Sequence, residues 1–297
     1  MPNSETCSIN DVQLAPEDQL WSGLKFETIE PAEMPAQFES VGDHVHFHRG
    51  VWWRQINRFF CIPCSMFERV DQETCWPEWH RCLGGYLHLA APGTRSNSTY
   101  RAIVNDSVKT YTVYSLSSKR NTHEVRRALS KVEVRVVTLD VLLQQGATVY
   151  DSWQQRVGWG RSRSRESFET WIRQACSRPK RMALGAFVGD KLAAFMLPFA
   201  TAGVVCPAFI ASHTDFLKFR PNDALHHAVL CIARQTPGIT MADFGPVCSK
   251  STLNDFKLRF GAIREFPAFT RLNGILTTLA SKRLQARYPW LGLNAVN

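Results

Sequence analysis

Apolar and polar positions change period several times along the chain, and each change marks an element. Residues 1–44 are polar and acidic, with Glu and Pro recurring in TIEPAEMPAQFES, and read as an extended or partly ordered arm. From Phe47 to Val113 come short aromatic-rich apolar runs, GVWWRQINRFFCIP, GYLHLAAP, YRAIVND and KTYTVYSL, which read as strands separated by turns. SLSSKRNTHEVRRALSKV then places Val125, Ala128, Leu129 and Val132 at helical spacing, with Ser115 or Ser117 able to cap the start. Lys119, Arg120, His123, Arg126 and Arg127 cover the rest of that helix, either as a solvated face or as a grip for an anion.

A second unit follows. VEVRVVTLD alternates as a strand does, LDVLLQQGATVYDSWQQRVG and SRESFETWIRQACSR have helical spacing, and the basic loop GWGRSRSR joins the two helices. RMALGAFVGDKLAAFMLPFATAGVVCPAFIAS gives two or three strands, with Gly189-Asp190 as a two-residue hairpin turn. RPNDALHHAVLCIARQTPG starts a helix at Pro221 beside Asn222 and Asp223, keeps Leu225, Val229 and Ile232 on one side, and ends before Pro237-Gly238. ITMADFG is the next strand, STLNDFKLRFG a short helix stopped by Gly261, AIREFPAFTRLN a further strand, and ILTTLASKRLQARY a basic amphipathic helix. This order is α+β, with mixed, mostly antiparallel sheets flanked by helices, and not the strict alternation of a doubly wound fold. The expected organisation is an arm over 1–44, units over 45–135 and 136–275, and a basic helix and tail over 276–297.

Composition narrows the classes. A chain of 297 residues with 44% hydrophobic content is long enough to bury a sizeable core. No basic start leads into an apolar segment and no run approaches the roughly 18 apolar residues of a membrane span, so a cytoplasmic protein without membrane insertion is expected. Nine Cys, an odd number, fit reduced thiols better than a disulfide framework. Cys61, Cys64, Cys75, His80 and Cys82 have the chemistry of a structural zinc site, but their irregular spacing leaves buried thiols as the other reading. The net charge of +9 favours anionic partners without choosing among them. GxGxxG after a strand, GxxxxGK[ST], GxSxG and HExxH are all missing, which removes dinucleotide, P-loop, serine-elbow and zincin chemistry.

PNDALHHA and FKLRFGA mark a resemblance to the C-terminal half of FemAB-like members of the GNAT acyltransferase superfamily, in which a PNxxLHxA helix and a late FKxRFGA element recur. LSSKRNTHEVRRAL is similar to their LxxKxRxxIRRAL helix, so the likeness covers roughly residues 100–270, with 45–95 only loosely similar. The resemblance implies a GNAT-like fold of two related subdomains, the first degenerate, and acyl transfer to a small amine-bearing acceptor in a cleft between them. Two strands would splay between Phe209-Ile210 and Ala242-Asp243, leaving backbone N–H groups to polarise a donor carbonyl, with the helix start from Pro221 to Ala224 near an anionic donor. RPNDAL lacks the glycines of an acetyl-CoA pyrophosphate loop, which brings aminoacyl-tRNA, as used by FemAB-type peptidyltransferases, and acyl carrier protein alongside acyl-CoA. No metal and no tightly bound cofactor are expected beyond that acyl donor.

Site residues follow from the same likeness. Lys257 faces the cleft to neutralise a donor phosphate or developing oxyanion, with Phe256 beside it, while Arg259 diverges by about 200° around the helix toward the surface or an acidic partner. The bland alternative has Phe256 and Phe260 as core anchors and both cations on the surface. His213 and Asp215 are candidates for a general base or proton relay, and Asp243 is a second base candidate or a carboxylate capping the Gly245 corner. Asn222 and His226 stand at the donor end of their helix, and Lys119, Arg120, Arg126 and Arg127 would grip the carrier. A reading from another class is a non-catalytic RNA-binding protein that retains the fold, motivated by basic stretches at Lys119 to Arg127, Arg161 to Arg165 and Lys282 to Arg287.

Overall fold

PNDALHHAVLCIARQ has apolar residues on all sides, and a helix of that composition must be surrounded by protein. In the computed structural model, which describes residues 15–39, 43–56, 60–71, 75–158, 164–248 and 251–272, it is the central helix, buried at every position from Asp223 to Ala233. The first half of the chain contains α1 (Pro16–Gln19), β1 (Thr28–Ile29), α2 (Met34–Glu39), β2 (Val45–His48), β3 (Val51–Ile56), β4 (Phe60–Pro63), β5 (Arg69–Val70), β6 (Gly85–Ala90) and β7 (Ser98–Asn105). Next come α3 (Lys119–Leu129), β8 (Glu133–Val136), α4 (Leu139–Val141), which continues through a π-helical turn into α5 (Ala147–Val157), and α6 (Arg165–Cys176). The rest comprises β9 (Leu184–Val188), β10 (Lys191–Met196), β11 (Phe199–Thr201), β12 (Val204–Cys206), β13 (Ile210–Ser212), the central α7 (Pro221–Gln235), β14 (Met241–Pro246), α8 (Ser251–Lys257) and β15 (Ala262–Leu272).

The strands form two sheets, and the fold is α+β and GNAT-like. An antiparallel sheet of four has the order β13-β10-β9-β8, its β9–β10 hairpin closed by Gly189-Asp190 with Gly189 at φ +58°. The larger sheet runs β1-β11-β12-β14-β7-β15-β6-β4-β3-β2, with β5 also on β6, and is mixed: β1/β11, β12/β14, β4/β6 and β5/β6 are parallel and the other pairs antiparallel. Strands from both halves of the chain alternate here, since β14 and β15 flank β7. α3 presses Val125 and Ala128 into the cluster that also holds Ala224 to Ala233 of α7.

Three local expectations resolve differently or in more detail. KTYTVYSL is not a strand but two 3-10 turns, Val108–Thr110 and Val113–Ser115. Val108, Tyr111, Val113 and Leu116 are all buried, and Lys109 Nζ donates to Thr236 O (2.6 Å) at the end of α7, so the segment wraps a helix instead of pairing with a strand. α3 is capped by Ser118, whose Oγ accepts the Asn121 N–H at 3.1 Å, because the preceding turn occupies Ser115. Residues 15–39 of the stretch read as an arm carry α1, β1 and α2, and bury Trp21, Phe26, Ile29 and Met34.

Gly261 has a steric role. A Cβ there would lie 2.6 Å from Val104 O and 2.8 Å from its carbonyl carbon, where β15 meets β7. Gly261→Ala should therefore lower stability by about 2 kcal/mol, read as a shift in the urea midpoint at unchanged m-value. An unshifted midpoint would remove close approach as the reason for glycine.

Candidate active site

The chain leaves β13 through a 3-10 turn, Thr214–Phe219, enters α7, and returns as β14 in the other sheet. The two strands that flank α7 are therefore split between sheets, and among the described residues β13 pairs only with β10. Pro221 suits the first helical position because its missing N–H is not needed there. Arg220 before it takes the left-handed conformation (φ 59°, ψ 48°), an uncommon one for a residue with a side chain.

That conformation accompanies a charge network. Arg220 Nη1 donates to Glu124 Oε2 of α3 (2.7 Å) and to Asp223 Oδ2 (3.2 Å). Arg259, just beyond α8, donates to Glu124 Oε2 (3.1 Å) and Asp223 Oδ1 (3.2 Å), and Arg120 Nε reaches Glu124 Oε1 (3.1 Å). Burial raises the Asp223 carboxyl against the pull of Arg259 and Arg220. Burial would raise Glu124 too, but Arg120, Arg220 and Arg259 outweigh it and leave that group lowered. A cavity of about 390 Å³ opens at this helix start, lined by Arg127, Lys218, Arg220, Asn222, Phe256 and Arg259 among others. Three guanidiniums share two carboxylates, and Arg127 and Lys218 add further positive charge, so the cavity is cationic.

Lys257 takes the opposite direction from Arg259. Along β14, Ala242 and Phe244 are buried on the α7 side, while Met241 packs against the cluster of Tyr100 and Val104, which puts Asp243 on the face away from α7. Between Asp243 and Pro246 the pairing with β7 slips at a bulge, with Gly245 at φ +86°, and Gly245 N–H donates to Asp243 Oδ1 (2.8 Å). Lys257 Nζ reaches this bulge and donates to Pro246 O (3.2 Å). Burial raises Asp243 to about 6, against the Gly245 amide and the Lys257 ammonium. Burial also lowers Lys257, with Cys248 and Asp243 opposing. Burial raises the neighbouring Tyr100 and Cys206, and the charge of Asp243 adds to both shifts.

A second cavity, of about 620 Å³, borders the same face and is lined by Arg54, Trp171, Arg178, Arg181, Phe199 and Phe209 among others. Arg178 Nε is buried without a hydrogen-bond partner. Burial pulls Arg181 down to about 10, and its guanidinium stacks on Phe199 at 4.2 Å. The Cys206 thiol feels the charges of both Asp243 and Arg181, the first raising it and the second lowering it.

The remaining candidates are distributed more widely. His226 is buried, its Nδ1 against Asn222 O (2.8 Å), stacked on Phe260 (5.3 Å) and edge-on to Phe256 (4.9 Å); burial pulls it down to about 4. His213 caps the turn after β13, its Nδ1 accepting the Asp215 N–H at 3.3 Å, and the Asp215 carboxylate is exposed. Lys119, Arg120 and Arg126 lie on the exposed side of α3, where Arg126 pairs with Glu17 at 2.6 Å. Arg127, Asn222 and Phe256 meet at the helix-start cavity, and Asp243 and Lys257 at the bulge. Cys61, Cys64 and Cys82 are buried, and Cys61 and Cys75 donate to Arg81 O (3.5 Å) and Arg49 O (2.9 Å); among the described residues the cysteine-rich stretch does not converge as a ligand set. Arg161 to Arg163 and Lys282 to Arg287 fall outside the described residues.

Sequence reasoning did not select Lys218, Arg220, Asp223, Glu124 or Arg181. The three-residue spacing of Arg220 and Asp223 at a helix start was a usable signal for that pair, whereas Glu124 and Arg181 join the site only through tertiary packing.

Residues 117–257 match the acetyltransferase (GNAT) domain family. Among solved structures the chain is similar to FemX, with 12% identity, a TM-score of 0.57, and coverage of 89% of this chain and 97% of that one. It is also similar to the C-terminal domain (DUF2156) of an Agrobacterium fabrum protein assigned as a lysylphosphatidylglycerol synthetase (14%, TM-score 0.57, 91% and 96%). L-PGS from Bacillus licheniformis gives 12% identity and a TM-score of 0.52 over 92% of this chain and 96% of that one. No curated protein matches the chain by sequence.

Proposed function

We propose that this chain, whose residues 117–257 match the acetyltransferase (GNAT) domain family and whose fold is similar to that of FemX, is a FemAB-like acyltransferase that moves an acyl or aminoacyl group from a polyanionic carrier to a primary amine by direct attack. The carrier is an aminoacyl-tRNA, an acyl carrier protein or acyl-CoA. The observation that carries this reading is the split between β13 and β14, with Asp243 and Lys257 both at the β14 bulge and a cationic cavity at the start of α7. The name lysylphosphatidylglycerol synthetase, borne by one fold relative, favours an aminoacyl group as the transferred unit.

The acceptor attacks as the free amine, its ammonium having released one proton to water. As the nitrogen bonds to carbon it gives up a second proton, which Asp243, ionised above about pH 6, accepts. The nitrogen lone pair bonds to the carbonyl carbon, and the carbonyl electrons move to oxygen, where the Lys257 ammonium offsets the developing charge. Collapse expels the carrier with the bonding pair, and Asp243 returns its proton to the departing oxygen or sulfur. Arg127, Lys218 and Asn222 hold the carrier's phosphate end, in place of the glycine-rich loop that RPNDAL lacks. The acceptor enters the larger cavity, whose half-buried Arg178 and Arg181 favour an amine that also bears a carboxylate or phosphate.

The test is incubation of the protein with labelled aminoacyl-tRNAs, acyl carrier proteins and acyl-CoAs across an amine library. Transfer from one donor class establishes the activity, and no transfer from any of them overturns it. With the active donor, Arg127→Glu combined with Lys218→Glu should raise donor KM by on the order of tenfold or more, because each lost charge-assisted contact is worth about 1.5–3 kcal/mol before screening. Acceptor KM should stay within about twofold. An unchanged donor KM would remove the carrier from this cavity.

A further inference from the structure

His227 and Cys231 are four apart on α7 and so lie on one face of the helix, which α1 covers with Asp18. All three side chains are buried: Asp18 and His227 at 0% exposure and Cys231 likewise. Asp18 Oδ1 is 3.7 Å from His227 Nε2, Cys231 Sγ is 3.6 Å from the same nitrogen, and Sγ and Oδ1 are 3.9 Å apart. The nitrogen–oxygen separation is too long for a hydrogen bond. Zinc bonds of about 2.0–2.2 Å to nitrogen and oxygen and about 2.3 Å to sulfur, at tetrahedral angles, separate ligand atoms by roughly 3.4–3.6 Å. The triangle is thus the face of a tetrahedral site opened by a few tenths of an ångström. From these residues we propose that Asp18, His227 and Cys231 bind a structural zinc ion that fastens the N-terminal segment to the central helix.

The surroundings agree with that geometry. Tyr111 OH sits 2.8 Å from His227 Nδ1, so the ring is held by its outer nitrogen and Nε2 faces the other two ligand atoms, the usual orientation of a metal-bound imidazole. Asp18 Oδ1 accepts the Val113 N–H at 2.8 Å, whereas Oδ2 is buried with no partner. The Glu17 carbonyl oxygen, 3.4 Å from Nε2, stands at the edge length of a fourth ligand. A carboxylate and a thiolate together cancel the charge of a divalent cation, so the loaded site is neutral in an apolar interior. Arg234 braces both sides of the site, donating to Asp18 O (2.8 Å) and Tyr111 O (2.6 Å). Cysteine, histidine and aspartate also invite a nucleophilic triad, but a sulfur with no exposure has no path to a substrate.

The experiment uses the full-length protein. Elemental analysis after zinc loading and desalting should give about one equivalent of zinc per chain. Cobalt substitution should give tetrahedral d–d bands and a thiolate-to-cobalt charge-transfer band. Cys231→Ser should abolish that band and reduce bound metal by about tenfold or more, and Asp18→Asn should weaken binding without abolishing the band. Cys61→Ser should retain the metal. Wild-type protein that binds neither zinc nor cobalt overturns the proposal, as does metal that persists in Cys231→Ser or disappears in Cys61→Ser. The first result would mean that the Nε2 proton is retained and shared with the Glu17 carbonyl. The metal readout is independent of acyl transfer, so failure of either proposal leaves the other standing.

Discussion

Lys257→Ala is expected to lower kcat/KM by on the order of 10²–10³, the usual loss when one charged or hydrogen-bonding stabiliser of a tetrahedral oxyanion is removed. The effect should appear in kcat more than in donor KM if Lys257 meets charge that develops only in the transition state. Folding should survive. Burial already works against the charged form of this side chain, and among the described residues it donates to Pro246 O at 3.2 Å, so Lys257→Met keeps the packing and discards the charge with that contact. Steady-state kinetics of the Ala and Met proteins, beside their thermal midpoints, separate the two effects. A Met protein with wild-type kcat would sink the assignment. A drop in Tm of several degrees with proportionate loss of activity would make Lys257 a structural residue. Arg259, two residues on, is the contrasting cation, because both of its carboxylate partners are internal and its charge is already engaged with Glu124 and Asp223.

The difference between these two cations shows where sequence reading stops. Their divergence by about 200° follows from helical geometry alone, so opposite directions were legible from the spacing. Arg259 was read as meeting the surface or an acidic partner, but which acids it meets was not legible, because Glu124 lies 135 residues away and is brought in by packing of α3 against α7. α7 was legible as a helix, started by Pro221 and ended before Pro237-Gly238, but Leu225, Val229 and Ile232 mark one side only, and burial from Asp223 to Ala233 comes from the elements packed around it. The strand–helix–strand passage through β13, α7 and β14 was expected from the resemblance to the GNAT superfamily, which implies strands splayed between Phe209-Ile210 and Ala242-Asp243. KTYTVYSL was misread because Tyr111 and Val113 alternate as in a strand, whereas the buried positions, which begin at Val108 and continue with Tyr111, Val113 and Leu116, run at spacings of three, two and three, a pattern that 3-10 turns and an irregular strand share. His226 resembled a donor contact because it stands one turn into the helix. Aromatic residues from β14 and α8 cover it, and no local pattern in PNDALHHA announces them. The role of Gly261 was misattributed for a related reason: a glycine after a helix suggests a stop signal, whereas the constraint comes from the backbone of β7, far away in the chain.

Asp243→Asn should lower kcat/KM by on the order of 10²–10³ near neutral pH while raising stability, a combination that a purely structural carboxylate would not produce. The wild-type profile of kcat/KM should fall on the acid side with a midpoint near pH 6, where burial has moved this carboxyl, and the Asn protein should lose that limb. The groups facing it are the Lys257 ammonium, the Tyr100 phenol and the Cys206 thiol. Burial raises the latter two, so neither ionises near pH 6 to mimic the limb. The sign of the stability change follows from linkage. A carboxyl raised from 3.8 to about 6 binds its proton more tightly in the folded state, so its contribution is fully present below about pH 4 and is lost as pH rises through 6. Above pH 6 the buried charge costs folding up to roughly 3 kcal/mol by that shift, less whatever solvent reaches the half-buried side chain. Asn keeps an oxygen to accept the Gly245 N–H and carries no charge, so the variant should gain stability at pH 8 and approach the wild type at pH 4. Urea midpoints at the two pH values, set beside the pH–rate profiles, read both halves. If the acid limb persists in the Asn protein, another group is the base, and His213 becomes the next residue to replace. If the variant is instead less stable at pH 8, the carboxylate is held by Lys257 as a structural pair, and its raised proton affinity has no catalytic purpose.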